Sequence, residues 1–496
     1  MNAIIPLTLV AVYYGTLLIV TNQGGAWGSD ASNYLANLNY YAYDIPRIEW
    51  MDRPRPILAP GLLLYPFTAL TDYLTGVRIF VFFCIMSMTG ASYYLCRSLM
   101  SAKMSAIATV LIVVNPWTAE AVAGGPHTPL GVAILLLQLK AVVDYASGRS
   151  INVPVTVAAL ALLPQVNQAV TGVALLIYLV IIPLAVYYRR EVPKSVWIAV
   201  ILGGGLSLLA LTTYVQLLEQ PEVRNYAGRT WIGMSGVSNW GLIVGQYGID
   251  MPDIILASMW VLVGLFGFRS KDVGVRILAA ALIVLSFIIM VRIADDALGN
   301  LRLRSLILAG SIYTPILVLL LQKYYKVLFV LLPVMTAFGF YITYSHLGHD
   351  AWTVDTKTAI EYIDERIEPD ELVVARASAT ARYIYSMYNI QTVAGISYVP
   401  DWAYQAHRQS YVDTYCILGW ASDICDEGEA VERRRARYIL EDRRDLIKAE
   451  SRSQAECLLE RTTELPYTSD PLHFGSVIIW EIDRELATDV VMENCS

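Results

Sequence analysis

Charge is what this sequence has least of. Only 16% of its 496 residues are Asp, Glu, Lys or Arg, while 56% are hydrophobic. An ordinary soluble domain carries about 25% charged residues, so the deficit points away from a soluble enzyme, as does a mean hydropathy of +0.49. Dense basic tracts are missing and the net charge is −7, which excludes nucleic acid as a partner and disorder as an organising theme. Histidine is rare too, at five residues, and no closely spaced Cys/His set suits zinc. Neither a Walker A loop nor His-Glu-x-x-His occurs. The first apolar run lacks a basic start and an Ala-x-Ala site, so it does not read as a cleavable signal.

What the chain has is long apolar runs. A bilayer crossing takes roughly 20 apolar residues in a helix, because nothing in the hydrocarbon satisfies an open backbone. Eleven runs qualify: 3–20, 78–99, 104–120, 129–146, 152–167, 169–188, 195–217, 252–268, 274–293, 303–321 and 327–345. A shorter run at 57–70, interrupted by Pro60 and Pro66, reads as a re-entrant or interfacial segment. Residues 1–345 therefore form a polytopic membrane body with a first outer loop at 21–77. Residues 346–496 form a polar tail that holds 28 of the 43 acids but only 15 of the 36 basic residues. With the N-terminus in the cytoplasm, every cytoplasmic turn of the body carries Lys or Arg, as the positive-inside rule requires. An odd number of spans then delivers the tail outside the cell membrane.

The outer side of the body has basic residues of one kind. All six lysines of residues 1–345 fall inside, whereas the outer set, which includes Arg53, Arg55, Arg302 and Arg304, is arginine throughout. A guanidinium fork matches phosphate oxygens in pairs, which an ammonium does not; an Arg-preferring composition is the plainer explanation.

Long loops in compact proteins tend to carry function, and the first outer loop is the longest. It opens Gly-Gly-Ala-Trp-Gly-Ser-Asp, with Asp30 at the start of a helical stretch. Ser29 and Asp30 both suit a helix N-cap, so Asp30 has a structural reading beside a catalytic one. Downstream lie Asp44, Glu49 and Asp52, then Arg53-Pro-Arg-Pro, whose prolines stiffen the backbone and hold two guanidiniums near the surface. Acids beside arginines at a membrane interface suit a phosphate-bearing lipid head next to a carboxylate base.

These residues carry a resemblance. An early Asp-x-x-x-Tyr (Asp30, Tyr34), the Arg53-Pro-Arg-Pro-Ile-Leu-Ala-Pro segment with a following Tyr-Pro, Asn115-Pro116-Trp117 and Arg302-Leu-Arg304 stand in the layout of the GT-C superfamily. The chain is similar to those polyprenyl-phosphate-sugar-dependent glycosyltransferases, including the protein mannosyltransferase and aminoarabinose transferase branches. The resemblance implies a helical membrane body, an exported tail and a catalytic Asp30. It further implies a donor phosphate held by Arg53, Arg55, Arg302 and Arg304, and inversion at the sugar. Many members have Asp-Glu at the first-loop site, but Ala31 follows Asp30 here. The second outer loop, Ala-Glu-Ala-Val-Ala-Gly-Gly-Pro-His-Thr-Pro-Leu-Gly, lacks the family's Ser-Arg-x-x-Arg-x-Asp. Glu120, His127 or Asp52 is the expected second acid or substrate contact; a His127 simply hydrogen-bonded in a turn is the plain alternative. No cofactor is implied, and nothing is close enough to the paired-acid motif of oligosaccharyltransferases to assign a divalent metal. The glycines at 203–205 sit inside a span, where close helix packing accounts for them.

The tail is long enough for a core of its own and reads as an α/β or α+β domain. Asp355–Asp364 has helical periodicity, with Ile360, Ile363 and Ile367 on one face. Glu371-Leu-Val-Val-Ala and Ser476-Val-Ile-Ile-Trp-Glu-Ile read as strands, and the charged run 432–448 as a solvated helix face. Cys416, Cys425, Cys457 and Cys495 make an even set, and in an exported domain two disulfides are expected, Cys416–Cys425 being the favoured pair of the three pairings. Two other functions fit the layout: a transporter or flippase of lipid-linked sugars, which calls for internal repeats that the chain does not show, and a non-catalytic surface scaffold.

Overall fold

The computed structural model describes residues 4–21, 59–115, 125–218, 251–293, 299–347, 354–369, 371–375, 390–394, 436–442 and 469–482, with isolated positions between them. The chain divides into two compact units. One comprises Met1–Thr21, Pro56–Leu63 and Gly76–Gly348, the other Asn22–Arg55, Leu64–Thr75 and His349–Ser496.

Described residues of the first unit are helical or in short turns. All eleven apolar runs fall on helices: α1 (Ile4–Thr21), α3 (Tyr73–Arg97), α4 (Ala102–Val113), α5 (His127–Ala146), α6 (Val153–Val166), α7 (Gln168–Arg189), α8 (Lys194–Leu218), α9 (Met251–Phe268), α10 (Val273–Ile293), α11 (Gly299–Leu321) and α12 (Tyr325–Leu347). The interrupted run is the short helix α2 (Ala59–Leu70), with Pro66 inside it. Tyr73–Arg97, His127–Ala146, Val170–Arg189 and Ile307–Tyr324 are long and apolar enough to cross a membrane; the other apolar helices are shorter over their described residues.

Burial sorts these helices. Almost every side chain of α5 is buried, and α10 is nearly as enclosed, packing against α5, α7, α9 and α11. By contrast α7, α8, α9 and α12 turn Leu179, Leu209, Phe266 and Val330 outward. Exposed apolar surface on several helices is an association hazard in water and ordinary solvation in lipid, where hydrocarbon is as good a neighbour as leucine.

Some polar groups inside the bundle are matched between helices. Pro164 lacks an N–H, so in α6 it leaves the carbonyl of Leu160 without its helical donor. Ser207 of α8 donates to that oxygen at 2.7 Å. Close approach makes this possible: a Cβ on Gly203 would meet Leu160 Cβ at 2.8 Å, whereas Gly204 and Gly205 face open space. Of the three glycines only Gly203 is required by packing. Deeper in, Gln138 of α5 donates to the Ala159 carbonyl at 2.7 Å and accepts from the Tyr178 hydroxyl of α7, tying three helices.

One helix is shorter than its apolar run. α4 stops at Val113 instead of continuing to residue 120. Pro116 biases Asn115 away from the helical region, and the freed carbonyls of the last turn find other donors. Tyr14 donates to Val113 O at 2.7 Å, and Thr118 to Ile112 O at 3.0 Å. Twelve residues reach about 18 Å, well under the roughly 30 Å of a hydrocarbon core.

In the second unit, α13 (Val354–Asp364) and strands β1 (Leu372–Ala375), β2 (Gln391–Ala394), β3 (Ala436–Asp442), β4 (Leu472–Phe474) and β5 (Val477–Glu481) form an α/β arrangement. The sheet order is β2-β1-β3-β5-β4. β1 pairs in parallel with β2 and β3, while β5 is antiparallel to β3 and β4. α13 packs on β4 and β5 and buries Ile360 and Ile363. The expected solvated helix at 432–448 is corrected here, since Ala436–Asp442 is the middle strand, with Tyr438, Ile439 and Leu440 buried. Its apolar triad pairs on both edges, and Arg437 meets Glu481 of the neighbouring strand, so the charge run masked a strand.

The β4–β5 turn is fixed by one glycine. Gly475 has φ +59°, and a Cβ there would collide with the Asp355 carboxylate. That carboxylate accepts from Ser476 N at 3.2 Å, seating the hairpin on the first turn of α13. Tyr362 and Phe474 close the contact with ring centroids 5.4 Å apart.

Candidate functional site

The candidate residues among the described ones stand at or near the first turns of α5, α7 and α11. Local chemistry sets those starts. Asn167, buried between α6 and α7, accepts from Val170 N at 3.0 Å and so caps α7. Its amide lies 3.5 Å from Thr128 Oγ1 in the first turn of α5. Gly131 permits this approach, since a Cβ there would stand 2.8 Å from Asn167 Cβ.

His127 is the first residue of α5 and is buried, with 4% of its surface exposed. Gly125 N bonds to Ala121 O at 3.0 Å and Thr128 N to Gly125 O at 2.8 Å, so the chain turns tightly into the helix. Ala121, Val122, Thr118 and Asn115 are buried as well. The described positions of the second loop are therefore buried, and His127, Thr128 and Asn167 set an imidazole, a hydroxyl and an amide at the starts of α5 and α7.

Arg302 and Arg304 lie in the first two turns of α11, which packs on α4, α5, α9 and α10. Asp30, Asp52, Arg53, Arg55, Glu120, Cys416, Cys425, Cys457 and Cys495 lie outside the described residues. The two described cysteines, Cys84 and Cys96, are buried free thiols. Among the described residues no group of three or more His, Cys, Asp or Glu could hold a metal ion. Sequence reasoning passed over Asn167 and Thr128. The available signal was an Asn standing alone between two apolar runs, the position of an N-cap.

At the end of the loop, Asp72 caps α3, accepting from Thr75 N at 3.1 Å. The Thr75 hydroxyl hydrogen bond, above all, holds this carboxyl below its ordinary value, with help from the Lys357 charge.

A helical bundle with lipid-compatible outer faces and a folded-in loop defines a polytopic membrane protein class, and comparison with solved structures narrows the fold. The archaeal oligosaccharyltransferase AglB from Archaeoglobus fulgidus, solved with an inhibitory peptide and a dolichol-phosphate, superposes with a TM-score of 0.52 at 11% identity, covering 89% of this chain and 69% of that one. The arabinofuranosyltransferase AftD from Mycobacteria gives 0.52 at 13% identity, covering 96% of this chain and 40% of that one. This chain thus spans well under half of AftD. In fold the chain is similar to AglB and AftD. No family model and no curated protein matches its sequence.

Proposed function

We propose that this protein is a membrane glycosyltransferase that moves a monosaccharide from a polyprenyl-phosphate donor to an acceptor hydroxyl at the outer membrane–water interface. The observation that carries the reading is the fold shared with AglB, which was solved holding a dolichol-phosphate, and with an arabinofuranosyltransferase. Beside it stand the acids and arginines of the first loop.

In this reading the eleven apolar runs cross the membrane, the run 104–120 doing so as α4 with the residues that follow it, the N-terminus is cytoplasmic, and residues 346–496 lie outside with their four cysteines paired. Asp30 takes the acceptor proton as the new carbon–oxygen bond forms. The bond from the sugar carbon to the phosphate oxygen breaks, and the electron pair stays on the phosphate. Arg53, Arg55, Arg302 and Arg304 stabilise that growing negative charge. Attack opposite the leaving phosphate inverts the anomeric centre. His127, with Asp52 or Glu120, contacts the sugar or the acceptor, which is a protein, lipid or glycan.

The test supplies purified protein in proteoliposomes with radiolabelled polyprenyl-phosphate sugar and candidate acceptors. Label in an acceptor supports the reading. Label that crosses the membrane still attached to its lipid, with no acceptor modified, replaces it with transport.

A further inference from the structure

Positive charge collects at the end of α7 without an acid to balance it. α7 is 22 residues long, about 33 Å, so Arg189 and Arg190 stand a full helix length from the capping Asn167. Three mutually packed helices meet there, α5, α7 and α10. Tyr145 in the last turn of α5 donates to the Glu191 carbonyl at 3.1 Å. Arg189 lies against Gly148, where a Cβ would stand 2.5 Å from its Nη1. From α10, Arg276 reaches Tyr188, with its Cζ 5.8 Å from the ring centroid, and donates through Nε to the Ser270 carbonyl. Among the described residues, Arg189 and Arg190 have no side-chain hydrogen bond or ion pair, and the terminal nitrogens of Arg276 have none either. Nearby acids do not neutralise them. Asp144 is taken by Lys140 and Arg149, and Asp272 caps α10, accepting from Gly274 N at 2.7 Å and Val275 N at 3.2 Å. Glu191 is exposed and pairs with no arginine among the described residues.

Helix dipoles account for only part of this. Cations suit a C-terminus such as that of α7, but Arg276 stands in the first turn of α10, where the dipole disfavours it. Arg190 carries a further cost. Its φ is +61°, a conformation in which a Cβ is crowded and glycine is the usual residue. The depth is set by exposed aromatics: Tyr187 in α7, Trp197 at the start of α8 and Phe268 at the end of α9. Tyr and Trp gather where hydrocarbon gives way to lipid head groups. A guanidinium fork matches phosphate oxygens in pairs, and basic clefts between helices at that depth suit anionic head groups. We propose that Arg189, Arg190 and Arg276 bind the phosphate of an anionic phospholipid where α5, α7 and α10 meet.

This site does not depend on transfer chemistry. The full chain in detergent is titrated with phosphatidylglycerol or with phosphatidylcholine of the same acyl chains, and retained lipid is counted by native mass spectrometry. Phosphatidylglycerol should be retained at least about fivefold more tightly, since one cation near an anionic surface is worth about that factor. Arg190→Gly removes a fork and relieves the backbone. It should therefore lower phosphatidylglycerol retention about fivefold, yet melt no lower than the unmodified chain in phosphatidylcholine alone. Arg189→Gln combined with Arg276→Gln should bring retention to the phosphatidylcholine level. Lys323→Gln combined with Lys326→Gln, which removes two exposed charges between α11 and α12, should leave it unchanged. Equal retention of the two lipids by the unmodified chain overturns the proposal. So does an equal loss in the lysine variant, because the attraction is then diffuse charge. Displacement of phosphatidylglycerol by an equal concentration of glycerol phosphate overturns the lipid assignment in favour of a soluble phosphate.

Discussion

Removing the carboxylate of Asp144 tests how this bundle handles charge. Asp144 sits in the last turn of α5 with 5% of its side chain exposed. It accepts from Lys140 one turn earlier and from Arg149 Nε at 3.0 Å. Arg149 in turn donates to the Ser98 carbonyl just beyond α3, and Lys140 rides 4.0 Å from the ring centroid of Tyr94. A hydrogen bond to a charged group contributes about 1.5–3 kcal/mol. The Lys140 bond counts in full, because that ammonium is only 13% exposed. Arg149 is 42% exposed, so solvent screening leaves its share within ~0–1 kcal/mol. Asp144→Ala should therefore cost about 2–3 kcal/mol. Asp144→Asn should cost less, since an acceptor remains. The combination of Lys140→Met with Asp144→Leu should recover most of the loss, because an apolar pair of similar volume replaces a buried ion pair at little cost. Equilibrium unfolding in mixed micelles with increasing SDS reads all three. The exposed pair Lys357–Glu361 is the control, worth ~0.3–0.5 kcal/mol. A loss at Asp144→Ala no larger than the control, or a double variant worse than the single, refutes the reasoning.

Other outcomes follow from the geometry. Gly475→Ala should cost about 1–2 kcal/mol from its left-handed backbone alone, and more from the collision with Asp355, lowering the melting temperature of the tail by calorimetry. The charge of Asp72 stabilises while the carboxyl is ionised, and its folded-state value lies below the ordinary carboxylate value. Its advantage over Asp72→Asn, which keeps the cap, should hold at neutral pH, fade as pH falls through that depressed value, and vanish in stronger acid. Asp30→Asn should lower transfer about 10²–10⁴-fold with donor binding kept, since Asn caps a helix as well as Asp does; near-normal turnover makes Asp30 structural. If Arg302→Lys and Arg304→Lys both bind polyprenyl phosphate with unchanged affinity, the phosphate clamp lies elsewhere. Mass spectrometry without reduction should find Cys416, Cys425, Cys457 and Cys495 resistant to alkylation.

Much of the bundle is legible in the residues. Each apolar run coincides with a helix because a span satisfies its own backbone and needs no distant partner to be recognised. α4 is the instructive exception. Hydropathy runs on through Trp117, but Pro116 ends the helix, and the Val113 carbonyl it exposes relies on Tyr14, about a hundred positions away in the chain. The tail shows the same divide. Leu372–Ala375 and Val477–Glu481 stand out as apolar runs, whereas Tyr438-Ile439-Leu440 is diluted by flanking arginines and glutamates until the sheet pairs it on both sides. For the site, His127 was visible as an unusual residue in a Gly/Pro turn. Asn167 was legible only as an N-cap between two apolar runs, because its tie to Thr128 and Gly131 is one that only folding makes.

The spacing of Lys140 and Asp144 also bears on how the chain enters the membrane. α5 carries Gln138, Lys140 and Asp144 and still ranks among the four helices apolar enough to cross. Opposite charges one turn apart on one helix neutralise each other as soon as that turn forms. No later helix has to arrive first. During synthesis α5 can leave the insertion machinery as a charge-balanced rod, before α6 and α7 exist to cover Gln138. Placing the same two charges on separate helices would keep the composition and the final contacts, yet it would make the insertion of one wait upon the other.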